Sequence, residues 1–171
     1  MAWWRMGAGY LAVPQSSSEP EVRVMAGKDK PSPRLSEVNR PFWEACNAQV
    51  LKLQRCQSDA CGKFIYYPRV CCPHCNSGDT QWTEVSGHGE IVSSTTVHRP
   101  HHETFYAEAP ILFAAIKLDE GPIMFSRLTD RVDSNTTLVG QRVHVTFIDH
   151  TKDQKLPFFS LSTPPKNGED S

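Results

Sequence analysis

What this chain lacks narrows its function before any motif is read. No apolar stretch approaches the roughly 20 residues that cross a bilayer as a helix, so no membrane span is expected. Charge of one sign is missing too: 18 Lys and Arg stand against 19 Asp and Glu, for a formal net charge of −1. Non-specific nucleic-acid binding is driven by basic clusters that release counterions, and no such cluster is present. Neither GxxxxGK nor GxGxxG occurs, which removes the usual glycine-rich phosphate cradles. At 171 residues the chain has room for one ordinary domain, or two small ones, plus tails. Trp3, Trp4 and Tyr10 hint at an export signal, but Arg5 and the glycines break the apolar run. A reducing, cytoplasmic setting is therefore expected. Residues 1–35, with Ser16-Ser17-Ser18 and scattered prolines, read as a disordered extension. Met25-Ala26-Gly27-Lys28 offers a second start site, and upstream residues are either extension or a mis-assigned start.

Against these absences stand six cysteines. Four form two pairs, Cys56-Gln-Ser-Asp-Ala-Cys61 and Cys72-Pro-His-Cys75, laid out like the two knuckles of a zinc ribbon. A tetrahedral ion about 2.3 Å from four thiolates needs two short loops that each present two sulfurs. Gly62 follows the first pair and Asn76-Ser77-Gly78 the second. Glycine and asparagine accept the left-handed backbone that turns amide N–H groups back toward sulfur. The stretch from about Leu51 to Val85 is shorter than the roughly 40 residues below which a domain needs a staple. A structural ion supplies on the order of 10–16 kcal/mol. One zinc on Cys56, Cys61, Cys72 and Cys75 is expected. Disulfides are a competing reading, disfavoured in a reducing compartment. A rubredoxin-like iron is another, and spacing alone does not separate it from zinc. Cys71 competes with Cys72 as a ligand, but only Cys72 gives the two-residue gap to Cys75. Cys46 falls in a predicted helix and reads as a buried apolar residue.

Ser36 to about Ala48 predicts a short docking helix within 36–49, with Ser36 or Asn39 as cap and Pro41 in the first turn. Phe42, Trp43, Cys46 and Val50 recur at helical steps and give one apolar stripe. The stripe packs onto the rest of the protein, or alternatively Trp43 meets a partner. Leu51 and Leu53 alternate with Lys52 and Gln54 as a strand entering the first knuckle. Phe64-Ile65-Tyr66-Tyr67 predicts a second strand, stopped by Pro68, and Trp82-Thr83-Glu84-Val85 closes a ribbon over 50–85. Beyond Ser86-Gly87-His88-Gly89 only strands and turns follow. They are Glu90 to His98, Ile111 to Leu118, a hairpin to Ile123–Arg127 through Asp119-Glu120-Gly121-Pro122, a strand around Val143, Val145 and Phe147, and Leu156 to Leu161. Five strands with one long connection, Ser126 to Gln141, fit a partly open barrel of the OB type over 86–162, with a short sandwich as the alternative. Residues 163–171 read as a loose tail. The fold class is mainly β: an N-terminal helix, a rubredoxin-like zinc ribbon, then a five-stranded OB-fold barrel.

Several motifs in this order carry a resemblance. They are Pro41-Phe42-Trp43-Glu44, Leu51-Lys52-Leu53-Gln54-Arg55-Cys56, Phe64-Ile65-Tyr66-Tyr67-Pro68-Arg69 and Cys72-Pro73-His74-Cys75. They continue with Trp82, Val85-Ser86-Gly87-His88-Gly89, Val97-His98-Arg99-Pro100 and Gly140-Gln141-Arg142-Val143. From about Asn39 to Ser162 the chain resembles the acyl-CoA-associated zinc-ribbon plus OB-fold family, long catalogued as domain of unknown function 35. One departure is the first knuckle, where four residues rather than the family's usual two separate Cys56 from Cys61. The resemblance implies an accessory subunit of a thiolase-superfamily enzyme that makes or breaks carbon–carbon bonds on acyl-CoA thioesters. It implies a thiolase-like catalytic partner and an acyl-CoA shared with it. Such assemblies include acetoacetyl-CoA thiolases, aromatic acyltransferases, steroid side-chain aldolases and aryl-succinyl-CoA thiolases, so benzoylsuccinyl-CoA is one substrate among several. Other members sit beside hydratases or are fused to them.

Within the barrel the connection Val97-His98-Arg99-Pro100-His101-His102-Glu103-Thr104-Phe105 gathers the richest chemistry. Guanidinium binds phosphate or carboxylate through paired hydrogen bonds, so Arg99 is a candidate for CoA or a partner carboxylate. His98, His101, His102 and Phe105, with Trp43 from the helix, complete the candidate acyl-CoA or partner contacts. The bland alternative is a solvated loop with titrating imidazoles. A second zinc on His98, His101 and His102 lacks a fourth ligand. No catalytic residue is expected in the chain itself, because a four-thiolate ion keeps no open position for substrate. Cys46 and Cys71 also lack a visible histidine partner. The leading alternative function is a single-stranded nucleic-acid binder with Phe105, Tyr106, Phe113 and Phe125 as stacking platforms. It is disfavoured by the balanced charge, and an electron carrier on iron is a third reading.

Overall fold

The computed structural model describes residues 30–132 and 136–162. The expected extension before residue 30, the second start at Met25 and the tail from 163 lie outside the described residues. The chain enters by a turn in which the Ser36 N–H donates to Asn39 Oδ1 at 2.8 Å and the Asn39 N–H to Ser36 Oγ at 3.3 Å. Helix α1 (Arg40–Asn47) therefore starts four residues after Ser36, and Asn39 spends its side chain on that turn, not on the helix. The Asn39 amide also donates to Tyr67 Oη at 3.0 Å, which ties the helix entry to the ribbon. Phe42 and Cys46, one turn apart, are almost wholly buried.

The ribbon is a three-stranded antiparallel sheet of β1 (Lys52–Cys56) between β2 (Phe64–Ile65) and β3 (Thr80–Glu84). The predicted second strand is shorter than expected and ends at Ile65. Nor does the simple alternation of β1 hold: Leu53 and Gln54 are both buried. Gln54 is drawn in because its amide accepts from Arg69 N at 2.8 Å and donates to Arg69 O at 3.0 Å. A buried polar side chain needs such partners, and here they hold the loop that carries the second knuckle.

Five strands follow: β4 (His88–Val97), β5 (Ile111–Leu118), β6 (Ile123–Arg127), β7 (Arg142–Thr151) and β8 (Gln154–Leu161). Their order, β6-β5-β4-β7-β8, puts β5 inside the sheet, as its apolar run requires. A parallel bridge between Leu128 and Phe159 joins the ends of the sheet. The Thr129 N–H donates to Phe159 O at 2.9 Å and Ser126 Oγ to Pro157 O at 2.6 Å, so the sheet closes as an OB barrel. A bulge at β4 between Ile91 and Ser93 lets one strand bend from β7 to β5.

Helix, ribbon and barrel share one core. Phe42 and Cys46, Leu51, Leu53 and Val85, and Ile91, Ile116, Met124, Val143 and Phe159 form a single buried cluster. Burying each large side chain is worth roughly 1.5–3 kcal/mol, so the parts stabilise one another. Asn47 adds polar clasps, accepting from Lys155 N at 2.8 Å and donating to Asp153 O at 3.0 Å, which fix α1 to the β7–β8 turn. The ribbon passes to the barrel at Gly87, where φ is 70° and an added Cβ would meet Val145 Cγ1 at 2.4 Å. Gly87→Val is expected to lower stability by at least about 2 kcal/mol in urea unfolding. Gly78→Ala, in open space, is expected to leave the midpoint in place. Equal midpoints for the two variants would mean that the junction carries no such constraint.

Candidate metal centre and apolar groove

The two knuckles face each other across the ribbon's end. Cys56 Sγ lies 3.5 Å from Cys75 Sγ, and Cys61 Sγ lies 3.7 Å from Cys72 Sγ. All four sulfurs fall within 4.8 Å of one another. A tetrahedron with metal–sulfur bonds of about 2.3 Å has edges of about 3.8 Å, so the donor set fits one metal ion. All six cysteines are free thiols, which sets the disulfide alternative aside in this structure. Gly62 and Asn76 sit at φ 58° and 59°, so the two knuckles end in the same left-handed turn. The two additional residues of the first knuckle are absorbed by a tight turn in which Cys61 N and Gly62 N both donate to Ser58 O, at 2.8 and 3.1 Å.

Backbone amides serve the sulfurs as the sequence predicts. Burial raises the Cys72 thiol, but the backbone N–H groups of His74 and Cys75 and the thiols of Cys61 and Cys75 outweigh it and hold Cys72 at about 7. The Ser58 N–H lowers Cys56, yet burial and the neighbouring thiols push it up to about 12. The Cys72 thiolate thus forms more readily than that of Cys56. Cys46 is elsewhere, in the core, where burial pushes its thiol up to about 12, as unreactive as an apolar residue. Cys71 is exposed and outside the sulfur cluster.

The second feature is a groove of about 620 Å³ between α1, the connection from β4 to β5, and the β5–β6 hairpin. That connection bends at buried Pro100 and folds into a 3₁₀ turn, Glu103–Glu108. His102 begins the turn: its Nδ1 accepts from Thr104 N at 3.4 Å and lies 2.8 Å from Thr104 Oγ1. Phe105 stacks on His150 at 6.4 Å and 16°, and His150 Nε2 donates to Pro31 O at 2.9 Å. Of the candidate residues, Trp43, His101, His102 and Phe105 line this groove, whereas His98 and Arg99 are exposed ahead of Pro100 and do not. Sequence reasoning missed Arg127, at the end of β6, and His150 and Phe158, which reach the groove from β7 and β8. It named Phe113 and Phe125, but as nucleic-acid platforms. They stand 37% and 74% exposed, too open for plain core residues, and alternation along β6 was the signal for the outward face of Phe125, whereas the continuous apolar run of β5 gave none for Phe113. Trp43 Nε1 is enclosed and has no hydrogen-bond partner.

Beside the groove, Glu108 sits between Lys30 and Arg127, 2.6 Å from Arg127 Nη1. Partial burial raises the Glu108 carboxyl, but these two cations prevail and hold it below its usual range. Among the described residues no helix is long and apolar enough to cross a membrane.

A ribbon with four converging thiols, fused through one core to an OB barrel, defines a metal-ribbon plus OB-fold module. Residues 43–81 match the rubredoxin-like zinc ribbon domain of ChsH2, and residues 82–147 match its C-terminal OB-fold domain. The two matches adjoin and cover more than half of the chain, which belongs to the ChsH2-type zinc-ribbon plus OB-fold family, the DUF35 family. A solved structure, the Ltp2-ChsH2(DUF35) aldolase, is 29% identical with a TM-score of 0.68, and the match covers 77% of this chain and all of that one. A probable enoyl-CoA hydratase alpha subunit of Thermomonospora curvata is 30% identical over 79% of this chain and 41% of its own length. A DUF35 domain-containing scaffold protein of Methanothermobacter thermautotrophicus is 31% identical over 51% of this chain and 65% of its own. The chain thus spans between 41% and 65% of the length of these two curated relatives.

Cys72→Ser is expected to abolish metal retention and to lower the unfolding temperature sharply, because a structural ion on such a site is worth several kcal/mol or more. Cys71→Ser is expected to keep both. Metal analysis after gel filtration reads the outcome, and full metal content in Cys72→Ser would remove that residue from the ligand set.

Proposed function

We propose that this chain is a non-catalytic accessory subunit of an enzyme acting on acyl-CoA thioesters, paired with a thiolase-superfamily subunit that carries the nucleophile. The observation that supports this most is the correspondence, over 77% of this chain and the whole of the other, with a chain of the Ltp2-ChsH2(DUF35) aldolase. The likeness to a probable hydratase subunit points to the same substrate class by a different chemistry. A cytoplasmic setting suits six free thiols. Zinc on Cys56, Cys61, Cys72 and Cys75 is the ion assigned, in a structural role. Bound by four thiolates it has no open position, so it fixes the ribbon and leaves the chemistry to the partner.

The chain's own contribution is positional. The groove beside α1 presents Trp43, His101, His102 and Phe105 as a preformed wall, which holds the acyl portion of the substrate and excludes water around it. His98 and Arg99, exposed next to that wall, are assigned to contacts with the partner or with the CoA phosphates. An aryl-succinyl thioester such as benzoylsuccinyl-CoA fits an aromatic groove, as do other apolar acyl groups.

The nucleic-acid reading draws on the same aromatics. Binders of single strands pair them with a positive channel. Here Arg127 is met by Glu108 and the remaining basic side chains of the groove are histidines. A salt-sensitive gel shift with single-stranded DNA would reverse the ranking.

The reading is tested by measuring CoA-thioester turnover with this chain alone, a thiolase-like subunit from the same genome alone, and both together. The expected result is no turnover by this chain and at least an about tenfold gain in the mixture. Equal partner activity with and without it, or turnover unaided, would sink the proposal.

A further inference from the structure

We propose that residues 30–33 are a hinged strap that gates the groove, closing the passage between it and a second cavity and opening without disturbing the rest of the fold. The strap needs no partner and no thioester, so it stands apart from the function proposed above. Three observations carry it.

The first is position. Next to the groove of about 620 Å³ lies a cavity of about 790 Å³, bordered by residues 128–132 after β6 and by the end of β7. Ile111, Arg127, His150 and Phe158 line both, so the two spaces share one wall. Lys30 lines the second cavity, whereas Pro31, Ser32 and Pro33 line the groove. The strap therefore crosses the boundary between them.

The second is how the strap is held. At one end the Asn39 side-chain amide donates to Arg34 O at 3.1 Å, and buried Asn39 is itself tied to Ser36 and Tyr67. That end is a fixed hinge. At the other end Lys30 pairs with Glu108, and its ammonium lies 6.0 Å from the centre of the Phe105 ring. His150 Nε2 donates to Pro31 O at 2.9 Å. Among the described residues, 30–33 form no backbone–backbone hydrogen bond, and Pro31 and Ser32 are exposed. The free end is thus a polar latch.

The third is how little opening disturbs. The Lys30 and Glu108 side chains are 37% and 26% exposed, and ion pairs so open to water contribute little. When the latch parts, Lys30, His150 and Pro31 O meet water, while Glu108 keeps Arg127 at 2.6 Å. No charge is left buried and alone. Two prolines restrict the freed strap, which limits the entropy lost on closing again. Opening uncovers the stacked Phe105 and His150 rings and joins the groove to its neighbour.

The test reads His150 in the metal-loaded full chain. Diethyl pyrocarbonate acylates imidazole nitrogens, and peptide mass spectrometry assigns each adduct to its histidine. His98, exposed ahead of Pro100 and outside the groove, is the internal reference. With the latch closed, His150 is expected to react more slowly than His98. Lys30→Gln removes the latch charge at a half-exposed position, and is expected to speed His150 relative to His98 about threefold. Nile red, a neutral apolar dye, is expected to bind Lys30→Gln about threefold more tightly than the unaltered chain, because the opened space admits it. Equal reactivity of His150 and His98 in the unaltered chain would mean that no latch protects the ring, and overturns the proposal. Wild-type protection in Lys30→Gln, or an unchanged dye affinity, does the same.

Discussion

The rest of the molecule depends on the convergence of four sulfurs from two loops on one point. The ribbon that carries them has only short strands and a small apolar patch around Cys56, Ile65 and Cys72. Hydrophobic burial on that scale does not fold a segment of this size. Four thiols 3.5–3.7 Å apart across the knuckles are a repulsive arrangement once ionised, and a metal ion turns the same geometry into the strongest local bond network of the chain. Gln54, Gly62 and Asn76 exist to hold this geometry: one clamps the second knuckle's loop, the other two let each knuckle turn.

What the ribbon gains it passes on. Leu51, Leu53 and Val85 lead from its sheet into the barrel core, and Phe42 and Cys46 of α1 close the same core from outside. The groove is a consequence of that assembly. One wall is the helix, fixed by Asn39 at its start and Asn47 at its end; the opposite wall is a β-hairpin whose outward phenylalanines are left uncovered. The 3₁₀ turn between β4 and β5 supplies the third side, braced by Glu108 against Lys30 and Arg127.

Local chemistry was legible in the sequence where it is governed by nearest neighbours. The knuckles, their left-handed ends, the five barrel strands and the hairpin at Gly121 all follow from spacing and turn residues. Features set by distant contacts were not. Gln54 looks like an outward strand residue until Arg69, fifteen positions away, takes its amide. The groove joins Pro31 to Phe158, and no window of sequence contains it. Trp43 was singled out as an aromatic near a tail, and only the assembled walls place it beside the groove. Four neighbouring polar residues, His98, Arg99, His101 and His102, were read as one constellation. The bend at Pro100 divides them, with two facing the groove and two standing outside it.

A core shared between ribbon and barrel also links the chain's fate to the cell's mineral supply. A copy without the ion is expected to lose the ribbon, and with it the Leu51, Leu53 and Val85 contacts in the shared core, so the damage is not confined to the knuckles. Such copies populate partly opened states that quality-control proteases remove. Abundance of the folded chain is then expected to follow metal availability.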